Sequence, residues 1–198
     1  MQSESEPILG RIVLVGDTQV GKTSIIQKYL RGQCSQEQKS TIGAVFHTQE
    51  VVFNNRKVSF QIWDTAGQER YKALGPIYYR KSNAAIAVFD LTRKETLQSL
   101  ESWIDTFRSN SDDNFVVIAA NKSDLESSVC FSVEETSEFA SRLGCECIWV
   151  SAMTGVGIEE LFQAITEHVY SKVVVPSDEH VVDVTKAQVN AEGEQPCC

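Results

Sequence analysis

The chain has 198 residues, 42% of them hydrophobic and 23% charged, which suits one globular domain with a substantial core and some residues to spare. A formal net charge of −9 argues against nucleic-acid binding, because neutralising phosphates takes clustered Lys and Arg that this chain lacks. The opening MQSESEP has no charged-then-apolar signal pattern, and no apolar run nears the length of a membrane span, so synthesis and folding in the cytosol are expected.

Short apolar runs alternate with longer amphipathic stretches, an α/β rhythm. RIVLVG (11–16) reads as a buried parallel strand and GKTSIIQKYLRG (21–32) as the helix after it. In EVVFNNRKVSFQIWD (50–64), Asn54 and Asn55 separate two strand-like runs as a hairpin turn would, so one sheet edge is expected to be antiparallel. Within it Val58, Phe60 and Ile62 share one face and Ser59, Gln61 and Trp63 the other, which places Trp63 on a polar, exposed face. AAIAVFD (84–90), FVVIAANK (115–122) and CIWVSA (147–152) read as further parallel strands. Between and after them come helical patterns at 96–110, 132–144 and 157–173, covering both faces of the sheet, with Ser132 and Glu135 spaced as a capping box. The folded domain is expected over 8–172. Apolar periodicity stops from about Pro176 onward, and residues 173–198 read as a flexible acidic tail. Cys34, Cys130, Cys145 and Cys147 lack zinc-ligand or C-x-x-C spacing and read as reduced, structural thiols.

Four segments carry chemistry. GDTQVGKTS, comprising Gly16, Asp17, Thr18, Gln19, Val20, Gly21, Lys22, Thr23 and Ser24, fits G-x-x-x-x-G-K-S/T between a strand and a helix. There backbone N–H groups and the helix N-terminus cradle phosphates, Lys22 reaches the terminal phosphates, and the Thr23 hydroxyl can ligate Mg²⁺. In WDTAGQER, Asp64 ends a strand where a carboxylate can hold Mg²⁺ through water, the bare Gly67 N–H can approach a γ-phosphate, and Gln68 is placed to orient an attacking water. In NKSD (Asn121, Lys122, Ser123, Asp124), the Asp124 carboxylate can accept two hydrogen bonds from the N1–H and N2 amine of guanine, which adenine cannot supply, while the Lys122 stem can lie on the base. SAM (Ser151, Ala152, Met153) ends another strand and could bring the Ala152 N–H towards guanine O6.

The order of these segments, with STIG (40–43), YYR (78–80) and a terminal CC, resembles the Rab small GTPases from Ile8 to Cys198, and TIGAVFHTQ with ALGPIYYRKSNAAIAVFDLT is most similar to their early-endosomal branch. The resemblance implies a P-loop NTPase G domain: a six-stranded, mostly parallel sheet with one antiparallel edge strand. It also implies a GTP/GDP-bound membrane-traffic switch that is monomeric and cycles between the cytosol and the cytosolic face of endosomal membranes. Thr41 would then cap Mg²⁺ and bond the γ-phosphate, and Phe46, Trp63 and Tyr78 would form an apolar effector patch. Cys197 and Cys198 would carry two geranylgeranyl chains, enough to anchor a soluble domain where one would be marginal. The implied partners are an exchange factor, a GTPase-activating protein, effectors, and prenyl-delivery and extraction proteins. Two departures touch the base: Cys34 stands where an aromatic usually packs on guanine, and Met153 where Lys usually follows SA.

Because no arginine is evidently placed to neutralise transition-state charge in cis, slow turnover accelerated by a partner is expected. A P-loop kinase would need an acceptor site and a lid, neither of which the sequence offers. A GTP-binding scaffold with negligible turnover would lack Gln68.

Overall fold

The structure is a computed structural model that describes residues 6–33, 44–65 and 78–174. Among these residues six strands form one sheet in the order β2-β3-β1-β4-β5-β6. The strands are β1 (Ile8–Val15), β2 (Ala44–Phe53), β3 (Arg56–Thr65), β4 (Ala84–Asp90), β5 (Val116–Asn121) and β6 (Glu146–Val150). Only β2 and β3 run antiparallel; the other neighbours are parallel. The expected hairpin is present, with Asn54 (φ 47) and Asn55 (φ 61) both in the left-handed region. Two consecutive left-handed residues match the twist of a two-residue hairpin, and Asn tolerates that conformation better than most side chains.

Strand alternation divides the core. Ile12, Leu14, Ile86, Val88, Val117 and Ala119 face α1 (Lys22–Arg31) and a long C-terminal helix, Ile158–Val174. Val13, Val15, Ala87, Phe89, Ile118 and Ala120 face the other way, towards helices whose buried residues include Leu100, Trp103, Ile104, Phe107 and Ala140. Strands covered on both sides are why these runs are apolar without alternation.

Three boundaries depart from the sequence reading. β2 starts at Ala44, six positions before Glu50, because its whole length pairs with β3 from Ala44↔Thr65 to Phe53↔Arg56. Val45, Phe46 and Thr48 are exposed, so the ladder and not burial specifies this edge strand. The helix expected over 96–110 is two helices, α2 (Lys94–Gln98) and α3 (Leu100–Arg108). Ser99 between them keeps helical dihedrals (φ −77, ψ −17), while its hydroxyl donates to the Thr96 carbonyl and to Asp17. Side chain to backbone bonding of this kind competes with the helical ladder at the junction. After α4 (Val133–Arg142), the last helix, α5 (Ile158–Val174), continues to Val174.

Cys130, Cys145 and Cys147 are unbridged. Burial pushes the Cys147 thiol up to about 11, and burial also raises Cys145 against the opposing Arg108 cation, which suits unreactive structural thiols.

The capping box at α4 is formed: the Glu135 N–H donates to Ser132 Oγ at 3.2 Å, and the Ser132 N–H donates to Glu135 Oε2 at 2.7 Å. Ser132→Ala is expected to cost about 1 kcal/mol. Urea unfolding should register this as a lower midpoint at unchanged slope.

Candidate functional site

β1 and its parallel neighbours β3 and β4 diverge in chain order, and a crevice outside the carboxyl ends of strands at such a switch point is where α/β sheets bind ligands. The segment from Gly16 to Gly21 crosses that point. Gly16 (φ +131) packs so closely on β4 that a Cβ would stand 2.2 Å from the Val88 carbonyl oxygen. At Gly21 (φ +100) a Cβ would stand 2.2 Å from Asn121 Nδ2. Both glycines are therefore required by conformation and by space. Gln19, exposed at the tip, also has positive φ (62), and Val20 is buried in the core.

Lys22 opens α1 and is 6% exposed. Its Nζ donates to the carbonyls of Gly16 at 2.8 Å and Asp17 at 2.7 Å, so the ammonium curls back over the loop. Burial pushes its pKa down to about 8, opposed by the nearby Asp64 and Asp17 carboxylates. Thr23, next on the helix, donates from Oγ1 to Asp64 Oδ2 at 2.6 Å, and Asp64 is buried near the end of β3. The Mg²⁺ ligands expected from two separate motifs thus meet directly. Ser24 follows, half-buried on α1.

Asn121, 2% exposed at the end of β5, joins the other loops. Its Nδ2 donates to the Val20 carbonyl at 2.8 Å, and its Oδ1 accepts from the Ala152 N–H at 3.2 Å. The N–H expected to point at a base is thereby engaged by Asn121. Lys122 adopts positive φ (70), and its Nζ pairs with Asp90 Oδ2 at 2.6 Å. Asp124 is exposed and accepts from Ser151 Oγ at 2.6 Å, and Ser151 Oγ in turn accepts from the Thr154 N–H. Met153 is 47% exposed; its carbonyl accepts from Lys28 Nζ at 3.2 Å.

Phe46 and Trp63 stand opposite each other in the β2–β3 ladder, with ring centroids 5.5 Å apart, and Trp63 lies 5.4 Å from Tyr78. The expectation that Trp63 is exposed needs correcting. It is half-buried, with its Nε1 buried and without a hydrogen-bond partner among the described residues, and the Arg11 guanidinium 4.6 Å from its ring centre. Flanking rings and a cation cover the face that alternation alone assigns to solvent. Thr41, Gly67, Gln68, Cys34, Cys197 and Cys198 lie outside the described residues.

The sequence reading missed a second layer behind these motifs. Asp17 Oδ1 accepts from Trp103 Nε1 at 2.8 Å and its Oδ2 from Ser99 Oγ at 2.5 Å, so the junction between α2 and α3 and the first turn of α3 grip the loop after β1. Asp90 is fully buried at the end of β4 and accepts from the Thr92 N–H, Thr92 Oγ1, Arg93 Nε and Lys122. Burial works to raise its pKa, but the bonds from Lys122 and Thr92 outweigh it and hold the carboxyl below its ordinary value. A carboxylate closing an otherwise apolar strand was the available signal for Asp90. Nothing local marked Trp103. Trp103→Phe removes a donor to a charged acceptor and is expected to destabilise the fold by about 2 kcal/mol, read as a shift in urea midpoint.

Residues 11–171 match the Ras family model. The chain is 34% identical to Ras-related protein RABA2a of Arabidopsis thaliana, over 98% of this chain and 96% of that protein. It is 36% identical to GTP-binding protein ypt3 of Schizosaccharomyces pombe, over 85% of this chain and 79% of that protein. With Ras-related protein Rab11C of Nicotiana tabacum the identity is 37%, over 81% and 73%. In this chain the matched residues include the glycine-bounded loop after β1, the Thr23–Asp64 contact and an NKSD segment tied to that loop through Asn121. The chain belongs to the Ras family and, within it, is a Rab small GTPase.

Proposed function

We propose that the chain binds GTP and GDP in the crevice described above and hydrolyses GTP slowly until a partner accelerates it, acting as a membrane-traffic switch on the cytosolic face of endosomal membranes. The observation that carries this reading is Asn121: one side-chain amide ties the phosphate loop at Val20 to the loop at Ala152, so the phosphate-binding and base-reading segments are halves of one site. In the phosphate half, Gly16 to Ser24 wraps the phosphates and Lys22, already held over the loop, supplies the cation. In the base half, Asp124 reads guanine, buttressed by Ser151, with Asn121, Lys122, Ala152 and Met153 around it.

The hard oxygen donors of Thr23 and Asp64, which already meet, fit a Mg²⁺ ion, with Thr41 as the third expected ligand. When bound, that ion neutralises phosphate charge. Gln68 orients the attacking water, and contacts made by Thr41 and Gly67 exist only with GTP, so hydrolysis releases both segments. The Phe46, Trp63 and Tyr78 cluster is the surface on which effectors sense that change. The endosomal assignment rests on the likeness of 41–49 and 73–92. An exchange factor, a GTPase-activating protein, and prenyl-delivery and extraction proteins complete the cycle. The domain runs from 8 to the end of α5 at Val174 and acts as a monomer, and the residues after it are a tether carrying prenylated Cys197 and Cys198. The tail's acidity leaves membrane attachment to the lipids and to partner proteins.

Purified full chain should load GTP in preference to ATP and release phosphate at about 10⁻⁴ to 10⁻² per second, rising by about 10³ to 10⁵ with a partner arginine. Gln68→Leu should abolish the partner-stimulated part while nucleotide loading persists. Undiminished stimulation in that variant would defeat the role given to Gln68, and equal loading of ATP the role given to Asp124.

Changing both Cys197 and Cys198 to Ser should leave nucleotide binding intact and move the protein wholly into the soluble fraction of cells. Fractionation with membranes at the level of the natural chain would overturn the lipid-anchor reading.

A further inference from the structure

Arg93 belongs to none of the nucleotide-binding segments. It precedes α2 in extended conformation (φ −135, ψ 107), and its guanidinium is about a third exposed at 32%. One fork spans two partners: Nε donates to Asp90 Oδ2 at 3.1 Å, and Nη2 donates to the Thr18 carbonyl at 3.0 Å. The first partner is the same carboxylate oxygen that receives Lys122 Nζ at 2.6 Å. A continuous path therefore runs from the phosphate loop at Thr18, through Arg93 and Asp90, to Lys122 in the NKSD loop.

The middle of that path is rigid. Asp90 is fully buried, and its other oxygen accepts both the N–H and the hydroxyl of Thr92. Its own N–H donates to Thr96 Oγ1 at 3.0 Å, which fixes the strand end to the first turn of α2. A carboxylate with every direction occupied cannot swing to follow one loop. If the Thr18 carbonyl moves, it leaves Arg93 behind.

We propose that Arg93 is a positioning residue for nucleotide retention: its two-armed guanidinium holds the phosphate loop at Thr18 in fixed relation to the Asp90–Lys122 pair, so that the phosphate and base halves of the site open together and not in turn. This rests on the reading of Gly16–Ser24 and Asn121–Asp124 as a GDP site. It is separate from the Asn121 link, which reaches the loop at Val20 and involves neither Asp90 nor Arg93. The competing role, a counter-charge for Asp90, asks only for a cation. Retention asks for the fork, because a lysine ammonium is a point charge that lacks the rigid planar pair of donors.

The test uses the full chain loaded with a fluorescent GDP analogue in Mg²⁺ buffer and chased with excess unlabelled GDP. Arg93→Ala is expected to release the analogue about three- to tenfold faster, the loss of one or two partly exposed hydrogen bonds. Arg93→Lys, which keeps the charge beside Asp90, is expected to remain at least about threefold faster than the natural chain, since it cannot also serve Thr18. An unchanged rate in Arg93→Ala would overturn the proposal, and so would natural-rate release from Arg93→Lys, which reduces Arg93 to a counter-ion. Failure of the natural chain to load the analogue would overturn the underlying site assignment, and is distinguishable because it precedes any comparison of variants. Should Arg93→Ala fail to fold, the Lys variant alone decides between fork and charge.

Discussion

The amide of Asn121 is bonded at both its nitrogen and its oxygen to the backbone of two other loops, and the rest of the site depends on that constraint. A buried side-chain amide left unpaired costs several times what a made hydrogen bond contributes, so the loops carrying Val20 and Ala152 are drawn to Asn121 as the price of burying it. Gly21 must lack a side chain because Asn121 occupies the space a Cβ would take. One residue at the end of a central strand thereby ties down segments 101 and 31 positions away in sequence.

Around it the sheet gathers buried charge. Lys22, Asp64 and Asp90 all lie near the carboxyl ends of strands or the loop beyond them, each below 10% exposed. Burial opposes ionisation, and each group meets it with several partners: carbonyls for Lys22, the Thr23 hydroxyl for Asp64, and four donors for Asp90. Such arrangements are weak evidence for stability, because apolar replacements often serve a fold as well.

The opposite end of the sheet works differently. β2 is an edge strand whose exposed positions include Val45 and Phe46, and it owes its position to its ladder with β3. Phe46, Trp63 and Tyr78 come from three separate segments and assemble into a half-covered aromatic cluster beside Arg11.

Local sequence determined the strands whose runs are apolar from end to end, the hairpin at Asn54–Asn55, the Ser132 capping box and the phosphate loop, because each depends on neighbours within a few residues. It also named the candidates proposed for phosphate, Mg²⁺ and guanine, since those proposed roles follow from side-chain chemistry and its place at a strand end. Tertiary structure alone decided the length of β2, which is set by a partner strand, and the junction at Ser99, whose hydroxyl reaches Asp17 across 82 positions. It decided the half-burial of Trp63, because period-two alternation says which face a side chain points to and nothing about what lies on that face. The grip of Trp103 on Asp17 and the reach of Arg93 to Thr18 are of the same kind. Hydrogen bonds between residues 75 and 86 positions apart leave no periodic trace in a sequence, and only the folded sheet brings their partners within 3 Å.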